Sequence, residues 1–302
     1  ILHRLVGSEM CIRDRQTLML SSSRFLWMGV SSWVLFAFLS ALTKLFRAEL
    51  DPLALVIPWI GLNALVVGIY IGIQNGLKGF QTTILHVHIF RGVLVFFPFL
   101  IGVYAIRHLP LGQFMTIVNL SPVILTLFAA TWLKEKVGRR EWISLLIGFV
   151  GMLICIRPQF DFIFLLSLAP LLDAISIAFG NALIRRYPEE PTLNWVFYQE
   201  ALGFLTGVSV WMILDLTLPD LNQLQFIPLF VVVDLIAMSM NYHAFRKVRA
   251  AKLSPWFYVQ IPAATLFGFL LFEEIPQWTV VIGGMLIISG GLLNSLRLNP
   301  KK

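Results

Sequence analysis

The sequence predicts an all-α, polytopic membrane protein with ten transmembrane helices arranged as two inverted five-helix repeats. Three observations support this fold class. Of the 302 residues, 58% are hydrophobic and only 13% are charged, and the mean hydropathy is +0.82. The apolar residues form runs that are long enough to cross a bilayer. A motif in the first half of the chain recurs in the second half with the opposite charge.

The apolar runs define the ten predicted helices. A hydrocarbon core of ~30 Å needs about 20 residues of α-helix, and ten stretches of roughly this length are almost free of charge, although several are short or contain Pro or Gly. In chain order they are 26–43, 53–74, 92–106, 111–133, 142–156, 162–184, 193–214, 226–245, 253–272 and 277–296.

Residues 1–23 form an N-terminal tail that we interpret as largely non-native. The string LVGSEMCIRD at 5–14 is what a transposase adapter from sequencing libraries encodes when it is read as protein, so residues 1–16 are left out of the fold prediction. A solvated native tail is the alternative. Without this segment Cys155 is the one remaining cysteine, and neither a disulfide framework nor thiol chemistry is expected.

A repeated motif divides the chain into two halves, 24–157 and 162–297, which are followed by a short tail, 298–302. The stretch NLSPVILTLFAATWLKEKVGRREWISLLIGFVG (119–151) is echoed by KLSPWFYVQIPAATLFGFLLFEEIPQWTVVIGG (252–284). In each copy an apolar helix ends at a turn that contains Glu, and a Trp and a Gly six residues apart follow in the next helix. Each half therefore contains five of the ten predicted spans.

Charge indicates that the two halves enter the membrane from opposite sides, as an odd number of spans per half requires. The turn at 134–141 carries four cations, whereas its equivalent at 273–277 carries none. Because Lys and Arg accumulate in cytoplasmic loops, we expect the first turn inside, the second outside and both termini in the cytoplasm. Sixteen of the twenty Lys and Arg residues beyond residue 16 then lie on the cytoplasmic side. The Lys and Arg residues are spread over short loops and do not form a basic domain. We therefore interpret them as determinants of membrane orientation and expect no nucleic-acid partner.

Both copies of the motif resemble a known family. LSPVILTLFAATWLKEKVGRREW, with RPQF after the next helix, is similar to the first EamA domain of the drug/metabolite transporter superfamily, and AFRKVRAAKLSPWFYVQIPAATLFGFLLFEEIPQWTVVIGGMLIISGG is similar to the second. The family's Gly before the Glu of the turn is replaced by Lys134 and by Glu273. The resemblance implies ten helices, cytoplasmic termini and transport of small metabolites. HIFRGVL, which contains Arg91, and LPLGQ resemble the bacterial subgroup that includes carriers of riboflavin and S-adenosylmethionine.

Three carboxylates lie within the predicted spans: Asp173, Glu200 and Asp234. A charge at the centre of a span costs ~2.5–3.5 kcal/mol on insertion scales, so we expect these residues to bind a proton or a cationic or zwitterionic substrate. A carboxylate withdrawn from water can exchange a proton near neutral pH. Asp173 and Asp234 are expected to face one shared cavity, and Glu200 is expected in the cytoplasmic third of its span. The alternative is a structural hydrogen bond between helices or contact with a water-filled vestibule.

Asn119 and Asn241 complete the candidate site as polar contacts, although a hydrogen bond between helices explains each of them equally well.

His86 and His88 look like a metal-binding pair, but side chains at i and i+2 point to different faces of a helix. We therefore expect both histidines in a solvated cytoplasmic loop and no bound metal. The glycines of the last predicted helix are expected to pack against a neighbouring helix or against a second copy of the chain in a homodimer.

Together these features predict a secondary transporter of the bacterial inner membrane for a small organic metabolite that resembles an amino acid, a nucleoside or a vitamin. Its two halves would alternate access to a site at the middle of the membrane, with or without proton coupling. The sequence contains no phosphate-binding loop, so no nucleotide or other cofactor is expected. The alternatives are a receptor or assembly protein that does not transport, and an intramembrane enzyme, for which Gly-x-Ser-x-Gly and His-Glu-x-x-His motifs are both absent.

Overall fold

The computed structural model describes residues 23–42, 52–105, 111–157, 164–214 and 224–295, and every regular element within these ranges is helical, as the sequence predicts. Two 3₁₀ helices, Gly76–Phe80 and Ser254–Val259, accompany the α-helices. The α-helices are α1 (Ser23–Leu42), α2 (Pro52–Asn75), α3 (Leu85–Ala105), α4 (Leu111–Val118), α5 (Ser121–Thr131), α6 (Arg139–Ile156), α7 (Phe164–Arg186), α8 (Thr192–Leu214), α9 (Ile227–Lys247), α10 (Ala250–Leu253), α11 (Gln260–Phe272) and α12 (Trp278–Ser295). The N-terminal segment interpreted as adapter and the tail 298–302 lie outside the described residues.

Eight helical segments of the described chain are long and apolar enough to cross a membrane. Two of these spans combine two α-helices: Phe114–Thr131 joins α4 to α5, and Ala250–Phe272 joins α10 to α11 through the second 3₁₀ helix. A further span, Val56–Phe80, continues from α2 into the first 3₁₀ helix. The third predicted span, placed at 92–106, begins earlier, at Leu85, and its apolar stretch Leu85–Pro98 is shorter than a full span. The chain is thus an all-helical, multi-pass membrane protein.

The two combined spans are broken at the same point of the repeated motif. In the first, α4 ends at Val118, and α5 starts at Ser121 with Pro122 in its first turn. In the second, the 3₁₀ helix Ser254–Val259 interrupts the span and has Pro255 in its first turn. Proline lacks the N–H that would continue a preceding helix and suits the first turn of a new one. The Leu-Ser-Pro sequence shared by the two copies therefore explains both breaks.

The helix after each break also ends in the same way, at the position where the related family has Gly. Lys134 has φ of 54° and Glu273 has φ of 56°, which is the left-handed conformation. The N–H of the following Glu donates to the carbonyl six residues earlier, at 2.8 Å in the first copy and 3.3 Å in the second. Both copies therefore hold a residue other than glycine in a backbone conformation that favours glycine.

The last helices of the two halves, α6 and α12, form the most extensive helix pair in the described chain. Glycine allows their close approach, since a Cβ on Gly283 would lie 2.5 Å from the carbonyl oxygen of Gly151. The Ser144 hydroxyl also donates to the carbonyl of Gly290. This part of the glycine-rich face of α12 is thus covered by the chain's own α6, which is one of the two arrangements expected from the sequence.

Candidate functional site

Asn63, at the middle of α2, brings together two of the predicted site carboxylates. Its Nδ2 donates to Oε2 of Glu200 at 2.9 Å and to Oδ2 of Asp234 at 2.7 Å. The three residues come from α2, α8 and α9, and each is at most 7% exposed. We refer to Asn63, Glu200 and Asp234 as the carboxylate cluster. Two like charges held this close in a buried site favour the uptake of a proton or another cation between them.

The cluster lies within all three helices and away from their ends. Asn63 has eleven residues before it and twelve after it in α2, and Asp234 is seven residues beyond the start of α9. Glu200 was expected in the cytoplasmic third of its span; it lies eight residues, or about 12 Å, beyond the start of the 23-residue α8, so its depth in the membrane stays a prediction. The sequence did not single out Asn63, although an amide inside a run of apolar residues was a signal that could have done so.

A chain of polar contacts continues from the carboxylate cluster towards α3. Gln199 Nε2 donates to Glu200 Oε1 at 3.4 Å, and Gln199 Oε1 accepts a hydrogen bond from Tyr242 Oη at 2.7 Å. The ring of Tyr242 faces Arg91, whose guanidinium carbon lies 4.8 Å from the ring centroid. The charges of Arg91 and Glu200 are close enough to interact. Negative and positive groups are therefore connected within one buried network.

Arg91 is a second functional candidate that was used in the sequence analysis only as part of a family resemblance. It is 3% exposed, and its Nε donates to the carbonyl of Gly180 on α7 at 3.1 Å. Trp195 lies on another side, with 5.4 Å between the guanidinium carbon and the ring centroid. A single cation within the otherwise apolar stretch IFRGVLVFF was the available sequence signal.

Asp173 is not part of this network. It is 8% exposed on α7, and its carboxylate makes no hydrogen bond or ion pair within the ranges that the structure describes. Ser176, one turn along the helix, donates to the carbonyl of Leu172 and not to the carboxylate. Asn63 links Asp234 to Glu200 and not to Asp173. A cavity shared by Asp173 and Asp234 therefore stays a prediction.

The two candidate asparagines contact the protein itself. Asn241 Nδ2 donates to Ser32 Oγ at 2.9 Å and joins α9 to α1, which is the helix-to-helix role considered as its alternative. Asn119 Nδ2 donates to the carbonyl of Met115, one turn earlier, at 2.8 Å. The Oδ1 of Asn119 is buried and has no hydrogen-bond partner in the described parts of the chain, so its capacity to accept a hydrogen bond is unused there.

The expectation that both histidines lie in a solvated loop is wrong for His88. This residue is only 2% exposed, its Nε2 lies 3.0 Å from Glu190 Oε1, and its ring stacks on Tyr198 at 4.5 Å. Because α3 already begins at Leu85, the spacing of two residues turns His86 outward and His88 inward. Among the described residues no group of three His, Cys, Asp or Glu side chains could hold a metal ion.

Comparison with known proteins gives a family match for the first half of the chain and relatives over most of its length. Residues 24–157 match the EamA-like transporter family. The riboflavin transporter of Brucella anthropi is 26% identical over 80% of this chain and 87% of its own. The S-adenosylmethionine uptake transporter of Rickettsia bellii is 24% identical over 73% and 76%, and the pseudopaline exporter CntI of Pseudomonas aeruginosa is 27% identical over 66% and 70%.

A solved structure, described only as "Crystal structure of protein", has the same fold. It superposes with a TM-score of 0.78 over 90% of this chain and 98% of the other, at 17% sequence identity. The fold, the family match and the relatives agree with one another. Residues 24–157 are therefore an EamA-like transporter domain, and the chain is related over most of its length to transporters of the drug/metabolite transporter superfamily.

Proposed function

We propose that this protein is a secondary transporter that moves a small organic metabolite across the bacterial inner membrane by alternating access. The carboxylate cluster is the observation that carries the proposal, because it is buried within three helices and contains residues from both halves of the chain. Asn63 belongs to the first half, whereas Glu200 and Asp234 belong to the second. A site between two halves is reorganised when the halves move relative to each other, as transport requires.

The proposed architecture consists of two inverted repeats, 24–157 and 162–297, with α3 and α6 completing ten spans and with both termini in the cytoplasm. Equivalent helix breaks, each followed by a helix that ends at a left-handed residue, support a structural repeat. The pairing of α6 with α12, which end the two halves, is compatible with a pseudo-twofold axis in the membrane plane. Broken helices are a recurrent feature of inverted-repeat transporters near their binding sites.

Within this proposal the carboxylate cluster binds the coupling proton or a positive group of the substrate. Asp173 and Asn119 are further candidate contacts, since Asp173 has no polar partner among the described residues and Asn119 has a free Oδ1. We assign Asn241 to helix packing because its amide is used by Ser32. The relatives carry riboflavin, S-adenosylmethionine and pseudopaline, so we propose a substrate that resembles an amino acid, a nucleoside or a vitamin.

Counterflow in proteoliposomes tests the proposal directly. Vesicles that contain the purified chain are loaded with unlabelled S-adenosylmethionine, riboflavin or a mixture of amino acids, and uptake of the corresponding labelled compound is measured without an ion gradient. A carrier accelerates the uptake of label when its substrate is trapped inside, and protein-free vesicles do not. A receptor or assembly protein would bind a compound without accelerating its exchange, and an enzyme would release a chemically altered label.

A further inference from the structure

We infer that Arg91, together with Trp195 and Tyr242, forms a binding site for an anionic group of the transported molecule, either a carboxylate or a phosphate. This inference rests on the proposed transport function and narrows its substrate class to molecules that carry such an anion. The site lies beside the carboxylate cluster but has the opposite charge.

The first argument is that Arg91 has no direct ion-pair partner. Arg91 is 3% exposed, and no Asp or Glu in the described ranges forms an ion pair with it, in contrast to Arg185 and Arg249. A buried charge in a membrane protein is costly unless a partner compensates for it. Because Glu200 does not form a direct ion pair with it, the guanidinium can still accept a closer anion that arrives from outside the protein.

The second argument is the surroundings of the guanidinium. Its carbon lies 4.8 Å from the centroid of Tyr242 and 5.4 Å from that of Trp195. Aromatic faces stabilise a cation through cation–π interaction while leaving the edge of the planar group free to donate hydrogen bonds. The five N–H groups of Arg form a rigid fork that fits a carboxylate or a phosphate in a bidentate manner.

The third argument is the position of the site between the two halves. Arg91 lies on α3 in the first half, whereas Gly180, Trp195 and Tyr242 lie on α7, α8 and α9 in the second half. An anion bound there would contact the same interface as the carboxylate cluster. A molecule with separate negative and positive groups, such as an amino acid derivative, could engage Arg91 at one end and Glu200 at the other.

A purely structural role is the alternative, because Arg91 Nε donates to the carbonyl of Gly180 and so ties α3 to α7. That bond uses one of the five donors of the guanidinium. A structural tie predicts a loss of stability on substitution but no response to added anions. Measurements of anion binding therefore separate the two roles, and they require neither a known substrate nor transport.

The test compares the thermal unfolding of the purified full chain in detergent with benzoate, phenyl phosphate or neutral benzamide, at constant ionic strength. We expect benzoate or phenyl phosphate, and not benzamide, to raise the melting temperature of the wild type in proportion to the logarithm of the anion concentration above its Kd. Whichever anion acts identifies carboxylate or phosphate as the preferred group. Arg91→Gln should abolish the rise, and Arg91→Lys, which keeps the charge but not the fork, should weaken it.

Arg185→Gln is the matched control, since the Arg185 side chain is paired with Glu135 at 2.9 Å; this variant should respond to the anions as the wild type does. The inference is overturned if neither anion exceeds benzamide in the wild type, or if Arg91→Gln keeps the response. If Arg91→Gln does not fold, an undiminished response in Arg91→Lys overturns it as well. Failure here would leave counterflow, and with it the proposed transport function, unaffected.

Discussion

Tyr258 Oη donates a 3.2 Å hydrogen bond to the backbone carbonyl of Asn119 and thereby joins the breaks of the two interrupted spans. Val123 and Ile124 both donate to the carbonyl of Leu120, which leaves the Asn119 carbonyl for the tyrosine. Non-helical backbone is tolerated within a membrane only where protein or trapped water satisfies its polar groups. Each break is therefore stabilised by the other, across the two halves.

Removal of this hydroxyl should destabilise the protein. Tyr258→Phe leaves a buried carbonyl without its partner, and such a loss typically costs about 1–3 kcal/mol. The measurement is the free energy of unfolding in mixed detergent and denaturant. Tyr198→Phe is the control: Tyr198 donates to the carbonyl of Phe80 at 2.6 Å, but it is only partly buried, so water can replace its hydroxyl. Equal losses in the two variants would contradict the assigned role of Tyr258.

Restoring glycine at the ends of the two broken spans should stabilise the protein. Lys134 and Glu273 hold a left-handed conformation, which costs residues other than glycine roughly 1–2 kcal/mol. Glu273 also places a negative charge at the C-terminal end of α11, where the helix dipole disfavours it, whereas the positive charge of Lys134 is favourable at the end of α5. Glu273→Gly should therefore raise the melting temperature more than Lys134→Gly does.

Lys136→Gly is the control for these glycine variants. It lies in the same exposed turn as Lys134 but does not have a positive φ, so glycine there only increases the entropy of the unfolded chain. The melting temperature of Lys136→Gly should therefore fall slightly or equal that of the wild type. A rise equal to that of Glu273→Gly would show that backbone strain is not the cause.

The proposed orientation can be tested with an impermeant maleimide on whole cells. In a background without Cys11 and Cys155, a cysteine at the exposed Ile275 should react, because the second turn is expected outside. A cysteine at Lys136 should react only after the cells are permeabilised. The opposite pattern would invert the topology, and labelling of both positions in intact cells would contradict the inverted-repeat arrangement.

The sequence was sufficient for the fold class because transmembrane helices depend on local composition. Long apolar runs are a property of neighbouring residues, and most helices lie close to the predicted positions. The breaks within 111–133 and 253–272 were not predicted, although the Leu-Ser-Pro sequences that explain them are also local. The start of α3 was missed because His86 and His88 were interpreted as loop residues. Burial of His88 depends on its contact with Glu190 in a distant turn, which no local pattern can indicate.

The candidate site was only partly predictable for the same reason. The cost of a charge in the membrane drew attention to Glu200 and Asp234, but their proximity depends on Asn63, which is 137 and 171 residues away from them in the chain. Arg91 was visible as an isolated cation, yet its aromatic neighbours come from α8 and α9. The contacts of Asn63 and Arg91 are made with residues on other helices. They depend on how the whole bundle packs and cannot be inferred from local sequence.

Glu200 and Asp234 should act as one unit in transport, because a single amide of Asn63 holds both carboxylates. If the pair carries the coupling proton, Glu200→Gln and Asp234→Asn should each reduce accumulation driven by a proton gradient by about tenfold, which corresponds to about 1.4 kcal/mol, while counterflow persists. If the pair binds a positive group of the substrate, counterflow should also fall and the apparent KM should rise.

The double variant decides whether the two residues are coupled. The effects of substitutions at residues that serve one function are not additive, so the variant that combines Glu200→Gln with Asp234→Asn should lose little more activity than either single variant.

Asp173→Asn should add its own effect independently, because Asp173 makes no hydrogen bond to the cluster in the described chain. Ser209→Ala, an exposed change on α8, serves as the control and should transport as the wild type does. If both single variants accumulate substrate normally from weakly acidic to weakly alkaline pH, the cluster has a structural role, because an amide can still bond to Asn63 and bridge the three helices.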